Sequence, residues 1–332
     1  MIPSASAALG ALLCVVVSHA ALAQHRKTSA PVAFTAPEWV FPGTAVDVVA
    51  PKPPHDTVLH RQPGSTRAFT LAAIKDRLNP PDWAPESHPG APDVVMHARP
   101  AATYACGFCH LPTGQGRSEN ATIAGLPAEY IVRQLADFRS GARGSPVDAW
   151  GPFVHMREVA QAITDAEAAD AARYFANIRA TARYRVVERD RIPAVYAAGG
   201  LYAARPGADS EPLGHRLIEM SNDIERHEDR DPGETFTTFV PSGAVARGRR
   251  IATSAQLKSP TRCVTCHGPD LRGAGAAPPI AGRSPAYTLR QLIGVRMGAR
   301  HAEAGAPMRA VVAALTLDDM IAVAAYAGSR AP

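Results

Sequence analysis

The sequence has few aromatic side chains, 6% of its residues, and only five cysteines in a chain of 332. The apolar fraction of 46% is still enough for globular cores, so something other than aromatic rings is expected to help fill them. No long run of Lys or Arg occurs, and nucleic-acid binding therefore gains no support. The net charge of +5 fits docking to an acidic protein or to a membrane surface without selecting between them.

Apolar runs of transmembrane length are also missing. Near the N-terminus, Ala11–Ala23 is a short apolar stretch that ends in the small-x-small site Ala21-Leu22-Ala23. This pattern predicts a secretion signal over residues 1–23, cleaved near Ala23, although no basic residue precedes it. A membrane anchor is the alternative, for which the run is short. Cys14 falls in the predicted signal, which leaves four cysteines in the mature chain: Cys106, Cys109, Cys263 and Cys266.

An internal repeat organises the rest of the sequence. The segments IAGLPAEYIVRQLADFRSGAR and IAGRSPAYTLRQLIGVRMGAR match at an offset of 157 residues, which then falls to 152. The second copy therefore has a loop five residues shorter, and a repeat of this length indicates a duplicated domain. The matched pairs are Cys106 and Cys263, Ile123 and Ile280, Tyr130 and Tyr287, Gln134 and Gln291, Arg143 and Arg300, Met156 and Met308, Thr164 and Thr316, and Tyr174 and Tyr326.

The repeat predicts two domains with irregular segments before and between them. The segment before the first domain is Pro-rich and is either an ordered wrap over that domain or a flexible linker. The segment between the domains contains Pro, Gly and a charge cluster, and is expected to follow the surface with little regular structure. The predicted boundaries are 1–23 for the signal peptide, 24–95 for the extension, 96–184 for the first domain, 185–244 for the connector and 245–332 for the second domain.

Each copy also carries helix signals. A helix is predicted to start near Pro127, with apolar residues at i, i+4 and i+7 along one face. A later helix is predicted to start at Thr164, where Glu167 completes a capping box. Thr316 and Asp319 give a weaker version of the same box in the second copy.

The four mature cysteines lie in two C-x-x-C-H motifs, Cys106-Gly107-Phe108-Cys109-His110 and Cys263-Val264-Thr265-Cys266-His267. Two thiols three positions apart on a helical turn reach the two vinyl groups on one porphyrin edge, and the adjacent histidine offers its imidazole to the iron. The motifs therefore predict two covalently bound haem c groups. A redox C-x-x-C lacks the βαβ context it needs, a zinc site leaves the histidines unexplained, and the spacing argues against two disulfides.

The predicted sixth iron ligands are Met156 and Met308, which occupy the same place in the repeat, eight residues before each capping threonine. Thioether sulfur is a soft donor that favours ferrous iron and raises the reduction potential. His155 competes for the first iron because it adjoins Met156, but its counterpart is Pro307, so it is not part of the repeated pattern.

Residues near the predicted iron ligands also occur as pairs related by the offset of the repeat. The backbone carbonyls of Thr122 and Pro279 are predicted to accept a hydrogen bond from the axial histidines and so orient the rings. Four further paired residues have either a role in contacting haem propionates or an ordinary surface or packing role: Tyr130, Tyr287, Arg143 and Arg300. His55, His60, His88 and His97 lack ligand spacing and are expected to be ordinary loop histidines.

In each copy the order is C-x-x-C-H, an Ile-Ala-Gly stretch, a Tyr-x-x-x-Gln-Leu helix ending in Gly-x-Arg, a Met and a helix containing Tyr. This order resembles class I cytochromes c in a tandem, dihaem arrangement, over roughly 100–180 and 245–330. The resemblance implies an all-α fold of two haem-centred helical domains and a periplasmic location. The glycine expected in the helix before each motif is visible only in the second copy, as Gly248. The iron ligands that the resemblance carries over are His110 and Met156 for the first haem, and His267 and Met308 for the second.

The function implied is electron transfer from a periplasmic dehydrogenase or membrane redox complex to a downstream acceptor such as an oxidase. Two six-coordinate irons leave no site for bond chemistry, so no catalytic residue is assigned. The alternatives are a peroxidase-like dihaem enzyme and a haem sensor, each of which needs one open iron. A thiosulfate-oxidising enzyme with a cysteine ligand is disfavoured, because the four thioethers consume every mature cysteine.

Overall fold

The computed structural model describes Met1 and residues 34–43, 57–99, 104–254 and 262–332. Apart from Met1, the predicted signal peptide lies outside the described residues. Its cleavage site and His55 also lie outside them. Almost all of the described residues belong to one unit, Thr35–Pro332.

The first helical region follows a short β-hairpin and two single-turn helices. Its helix α4 buries the predicted apolar stripe, Ile131, Leu135 and Phe138. Thr164 caps helix α6 and Glu167 completes the capping box, so that prediction is confirmed. The elements are β1 (Leu59–Arg61), β2 (Ala68–Thr70), α1 (Leu71–Ile74), α2 (Asp93–Met96), α3 (Cys106–His110), α4 (Ala128–Ser140), α5 (Gly151–Ala162) and α6 (Asp165–Ala176).

The segment after α6 folds into β-structure. Five strands form one mixed sheet in the order β3-β9-β8-β6-β5, and β4 pairs separately with β7. The elements are β3 (Tyr184–Glu188), β4 (Arg191–Pro193), β5 (Val195–Ala198), β6 (Leu201–Ala204), β7 (Ser210–Pro212), β8 (Ile218–Ser221), α7 (Ile224–Glu228) and β9 (Phe236–Val240).

The all-α prediction is therefore wrong, and so is the prediction of an irregular connector. The strand sequences Tyr184–Glu188 and Phe236–Val240 are rich in β-branched and aromatic residues, which suit a pleated, half-buried surface. Pro, Gly and charged residues between the strands form the turns and the short helix, and they masked this signal. Strands β3 and β9 pair in parallel, which brings the two ends of the connector side by side.

The second helical region repeats the order of the first with a longer leading helix. Thr316 and Asp319 form the second capping box, again as predicted. Within the described residues no single helix is long and apolar enough to span a membrane. The bent pair Glu303–Ala313 and Leu317–Gly328 meets those criteria only when both helices are taken together. The elements are α8 (Ala244–Thr253), α9 (Cys263–His267), α10 (Pro285–Arg296), α11 (Ala306–Ala313) and α12 (Leu317–Gly328).

A buried carboxylate ties the sheet to both helical regions. Glu219 on β8 is only 2% exposed. Its oxygens accept hydrogen bonds from Ser118 of the first region (2.7 Å), Ser284 of the second (2.7 Å) and Thr238 of β9 (2.9 Å). Burial raises the pKa of Glu219 despite these donors. Because a buried carboxyl group is costly without hydrogen bonds, these contacts help to hold the connector against both helical regions.

Helices α8 and α12 cross closely at Gly248. A Cβ atom at this position would overlap the backbone carbonyl of Ala322 and the side chain of Tyr326. The apolar cluster around the crossing includes Ala252 and Ala327, both fully buried. The glycine at 248 is therefore required by the approach of the two helices.

Gly248→Ala is expected to destabilise the second helical region. Overpacking against a backbone carbonyl costs about 1–3 kcal/mol, which outweighs the helix-propensity gain of roughly 1 kcal/mol. The measurement is the free energy of unfolding by denaturant. Gly90→Ala is the matched control, because a Cβ there meets nothing within 4 Å. Equal stability of the two variants would contradict the close crossing.

Candidate functional site

Both C-x-x-C-H motifs form a short helix, which places the two cysteines of each motif on one turn. All four cysteines are free thiols. Burial raises the pKa of Cys106 to about 12 and that of Cys263 to about 11, so these thiols are uncharged at neutral pH. Cys266, in contrast, is exposed.

The histidine of each motif is held through one ring nitrogen. His110 Nδ1 lies 2.9 Å from the carbonyl oxygen of Ala121, and His267 Nδ1 lies 2.8 Å from that of Pro278. Burial lowers the pKa of both histidines, which favours the neutral imidazole. A neutral ring that donates through Nδ1 leaves Nε2 for a metal ion.

The orienting carbonyls differ from the predicted ones by one residue. Ala121 and Pro278 replace Thr122 and Pro279, and they keep the offset of 157. The carbonyl of Thr122 instead accepts a hydrogen bond from Arg283 of the second region at 3.0 Å. Sequence spacing predicted the loop correctly, but it does not determine which carbonyl in the loop faces the ring.

The two paired methionines lie on equivalent helices. Met156 is on α5 and Met308 is on α11, and both side chains are partly buried. Two methionines of the second region that have no counterpart in the first differ from this pair, since Met297 is 37% exposed and Met320 is fully buried in the core. Met96 is also partly buried, but it precedes the first motif and has no counterpart in the repeat.

Both ring nitrogens of His155 have neighbouring partners. Its Nε2 lies 3.1 Å from the hydroxyl of Tyr104, and its Nδ1 lies 3.3 Å from a carboxylate oxygen of Glu158. A histidine engaged at both nitrogens would have to break one contact before it could bind iron. This geometry favours Met156 as the sixth ligand.

Three histidines that precede the first motif lie among the described residues, and each has a hydrogen-bonding neighbour. His60 meets Asp229, His97 meets Asn79, and His88 meets the hydroxyl of Tyr174. In the described part of the chain, no group of three or more His, Cys, Asp or Glu residues is arranged to hold a metal ion.

Repeat-related polar residues meet where the two helical regions face each other. Arg143 donates to Gln134 Oε1 (2.7 Å) and to the hydroxyl of Tyr287 (2.7 Å). Arg300 donates to the same Gln134 oxygen (2.7 Å) and to Gln291 (3.2 Å). The backbones of the two regions also meet here, in an isolated antiparallel β-bridge between Arg143 and Arg300. We call these residues, with Tyr130, the inter-repeat cluster.

The inter-repeat cluster holds two neighbouring guanidinium groups without a direct counter-ion. Neither Arg143 nor Arg300 makes an ion pair with a carboxylate among the described residues, and the carboxylate of Asp137 accepts from Gln134 instead. Burial raises the pKa of Tyr130, but the charges of Arg300 and Arg143 outweigh this and hold the pKa below its ordinary value. Such a site favours an anionic ligand.

Sequence reasoning paired Gln134 with Gln291 through the register, but it assigned a possible role at the haem only to the arginines and tyrosines of this cluster. Arg283 was missed. It donates to the carbonyls of Thr122 and Ala124 in the first region, and its counterpart there is Leu126, so the repeat gives no signal for it.

Comparisons with known proteins agree with this geometry. The cytochrome c family model matches residues 245–329, which include the second C-x-x-C-H motif. The second helical region therefore contains a cytochrome c domain. A cytochrome c domain implies covalently bound haem c, and the residues present fit that group: paired free thiols, neutral histidines with Nε2 available, and a cationic cluster suited to carboxylates.

Two curated relatives are similar to this chain over different lengths. The thiosulfate dehydrogenase electron acceptor of Stutzerimonas stutzeri is 28% identical over 233 residues, 69% of this chain and 80% of the relative. Cytochrome c4 of Azotobacter vinelandii is 35% identical over 72 residues, 21% of this chain and 32% of the relative.

Among solved structures, the thiosulfate dehydrogenase of Marichromatium purpuratum in its as-isolated form is 27% identical, with a TM-score of 0.44. That match covers 68% of this chain and 36% of the solved chain, so this chain spans about a third of that protein's length.

Met156→Ala is expected to leave the first haem attached, because both cysteines and His110 are unchanged, but to open its sixth position and lower its reduction potential. The visible spectrum and a redox titration measure both effects. Met297→Ala is the matched control, since this exposed methionine has no counterpart in the repeat. An unchanged spectrum and potential in Met156→Ala would exclude Met156 as the ligand.

Proposed function

We propose that this cytochrome is a periplasmic electron carrier with two haem c groups. Cys106 and Cys109 attach the first haem, and Cys263 and Cys266 attach the second. The irons are ligated by His110 and Met156 in the first region and by His267 and Met308 in the second. Each haem supplies one-electron redox chemistry, and the chain supplies attachment, ligation and a fixed spacing between the two groups.

The main structural support for this proposal is the inter-repeat cluster. It lies between the two regions and presents the guanidinium groups of Arg143 and Arg300 beside Tyr287 and Gln134. Haem propionates are anions, and two neighbouring cations without ion-pair partners suit them. Propionates from both haems at this cluster would bring the two redox groups together across the boundary, so that one chain relays electrons internally.

The proposed electron donor is a dehydrogenase that oxidises a small inorganic sulfur compound. Support comes from the 28% identical relative, whose name describes it as an electron acceptor of thiosulfate dehydrogenase, and which this chain matches over 80% of its length. The net charge of +5 further suits an acidic docking partner.

Both alternatives to an electron carrier need an open iron. A peroxidase-like enzyme must admit peroxide to the sixth position, and a gas sensor must exchange its sixth ligand. The partly buried Met156 and Met308 on equivalent helices support two closed irons instead.

The prediction that both irons have six ligands is tested by the visible spectrum of the purified holoprotein, with a haem count and with added carbon monoxide. The proposal predicts two covalent haems per chain, low-spin spectra in both oxidation states, methionine–iron absorption when oxidised, and no shift when carbon monoxide is added to the reduced protein. A high-spin fraction or a carbon monoxide complex would show one open iron and would favour a peroxidase or a sensor.

The donor is tested separately. A catalytic amount of a purified thiosulfate dehydrogenase with thiosulfate is expected to reduce both haems, and omitting thiosulfate is expected to abolish the reduction. Absorbance of the reduced haem α-band follows the reaction. If dithionite reduces both haems but the dehydrogenase reduces neither, this choice of donor is wrong, while the carrier function stands.

A further inference from the structure

The connector contains a cluster of charged residues, 225–231, and contacts the first C-x-x-C-H motif through one of them, Arg230. Helix α7 is followed by Arg230, whose φ of 58° is in the left-handed region that residues other than glycine rarely adopt. Such a conformation costs on the order of 1–3 kcal/mol and persists only where surrounding contacts hold it. Asp231 supplies one such contact, since its carboxylate accepts from Arg226 at 2.5 Å and from the backbone of Gly233 at 2.7 Å.

The N-terminal extension holds the same loop from the other side. Gln62 donates to the Asp229 carboxylate at 2.8 Å, and His60 Nδ1 lies 3.1 Å from it. The indole N–H of Trp83 donates to the Asp229 carbonyl at 2.8 Å, and Trp83 is only 2% exposed. The position of Arg230 is therefore fixed by contacts from two separate segments of the chain.

The guanidinium of Arg230 lies directly on the motif. Its Nη1 donates to the carbonyl of Phe108 at 2.7 Å, and its central carbon lies 3.3 Å from the centroid of the Phe108 ring. Phe108 stands between the two cysteines and is 6% exposed. The cation is thus placed at the segment to which the first haem is attached.

This cation has no direct counter-ion. Among the described residues, Arg230 makes no ion pair, and its Nε is buried without a hydrogen-bond partner. The two nearby carboxylates are bound elsewhere, Glu119 by Arg117 at 3.1 Å and Glu228 by Lys75. The charge of Arg230 therefore acts on groups at the motif without being neutralised by an ion-pair partner of its own.

The second motif lacks this arrangement. The counterpart of Phe108 is Thr265, which is exposed and has no aromatic face for a guanidinium. At the first motif, by contrast, a Cβ on Gly107 would lie 2.9 Å from the carbonyl of Val95, so the extension also packs against it. The two motifs are alike in sequence but differ in their electrostatic surroundings.

We propose that Arg230 is a positioning residue that raises the reduction potential of the first haem. This inference rests on the proposed dihaem function. A ferric haem carries one more positive charge than a ferrous haem, so a nearby partly buried cation favours the reduced form. The connector would thereby set a difference between the two haem potentials that the repeated ligand sets alone do not provide.

The test is a redox titration of the holoprotein in which the two haems are resolved. Arg230→Gln is expected to lower the potential of the first haem and leave that of the second unchanged, and Arg230→Lys is expected to retain most of the wild-type potential. Arg205→Gln is the matched control, because Arg205 also lies over an aromatic ring of the connector, that of Tyr196, and contacts neither motif.

Three results of the redox titration would overturn this role. These are an unchanged first potential in Arg230→Gln, an equal shift of both haems, and an Arg230→Lys variant that behaves like Arg230→Gln. Loss of the first haem or of the fold in Arg230→Gln would also overturn it, because it would show that the residue only supports structure. Haem count and carbon monoxide binding, measured on the same samples, separate these results from failure of the dihaem carrier function itself.

Discussion

The architecture depends on one shared acceptor, the side-chain oxygen of Gln134, to which Arg143 and Arg300 both donate at 2.7 Å. Two like charges at one oxygen repel each other, and burying them costs more unless an anion completes the site. Residues from both copies of the repeat are needed to build it, with Tyr287 and Gln291 completing the bonds. The arrangement of the two regions and the proposed placing of the haem propionates thus follow from the same contact.

Features that depend on the repeat or on interactions between neighbouring residues were predicted correctly from the sequence. Both capping boxes formed, because a threonine and an acidic residue three positions later are sufficient for them. The register also paired Arg143 with Arg300, but spacing could not show that they meet across the boundary. The orienting carbonyl was missed by one residue in both copies, because spacing places the loop but does not determine which of its carbonyls faces the ring.

The connector is where sequence reasoning failed, and it is also where the two halves of the molecule differ. Its Pro, Gly and charged residues predicted a surface segment with little regular structure. Instead, its runs of β-branched and aromatic residues form a five-stranded sheet. Glu219 of that sheet bonds to both helical regions, and Arg230 lies on the first motif. The repeat contains two similar C-x-x-C-H motifs, and the connector makes their surroundings unequal.

The central claim is that the two haems act as one electron-transfer unit across the inter-repeat cluster. The most direct test is rapid reduction by less than one electron per molecule, followed by time-resolved absorbance as the electron distributes between the haems. The account predicts a first-order equilibration whose rate does not change with protein concentration. A rate proportional to protein concentration would mean that electrons pass only between molecules, and would contradict it.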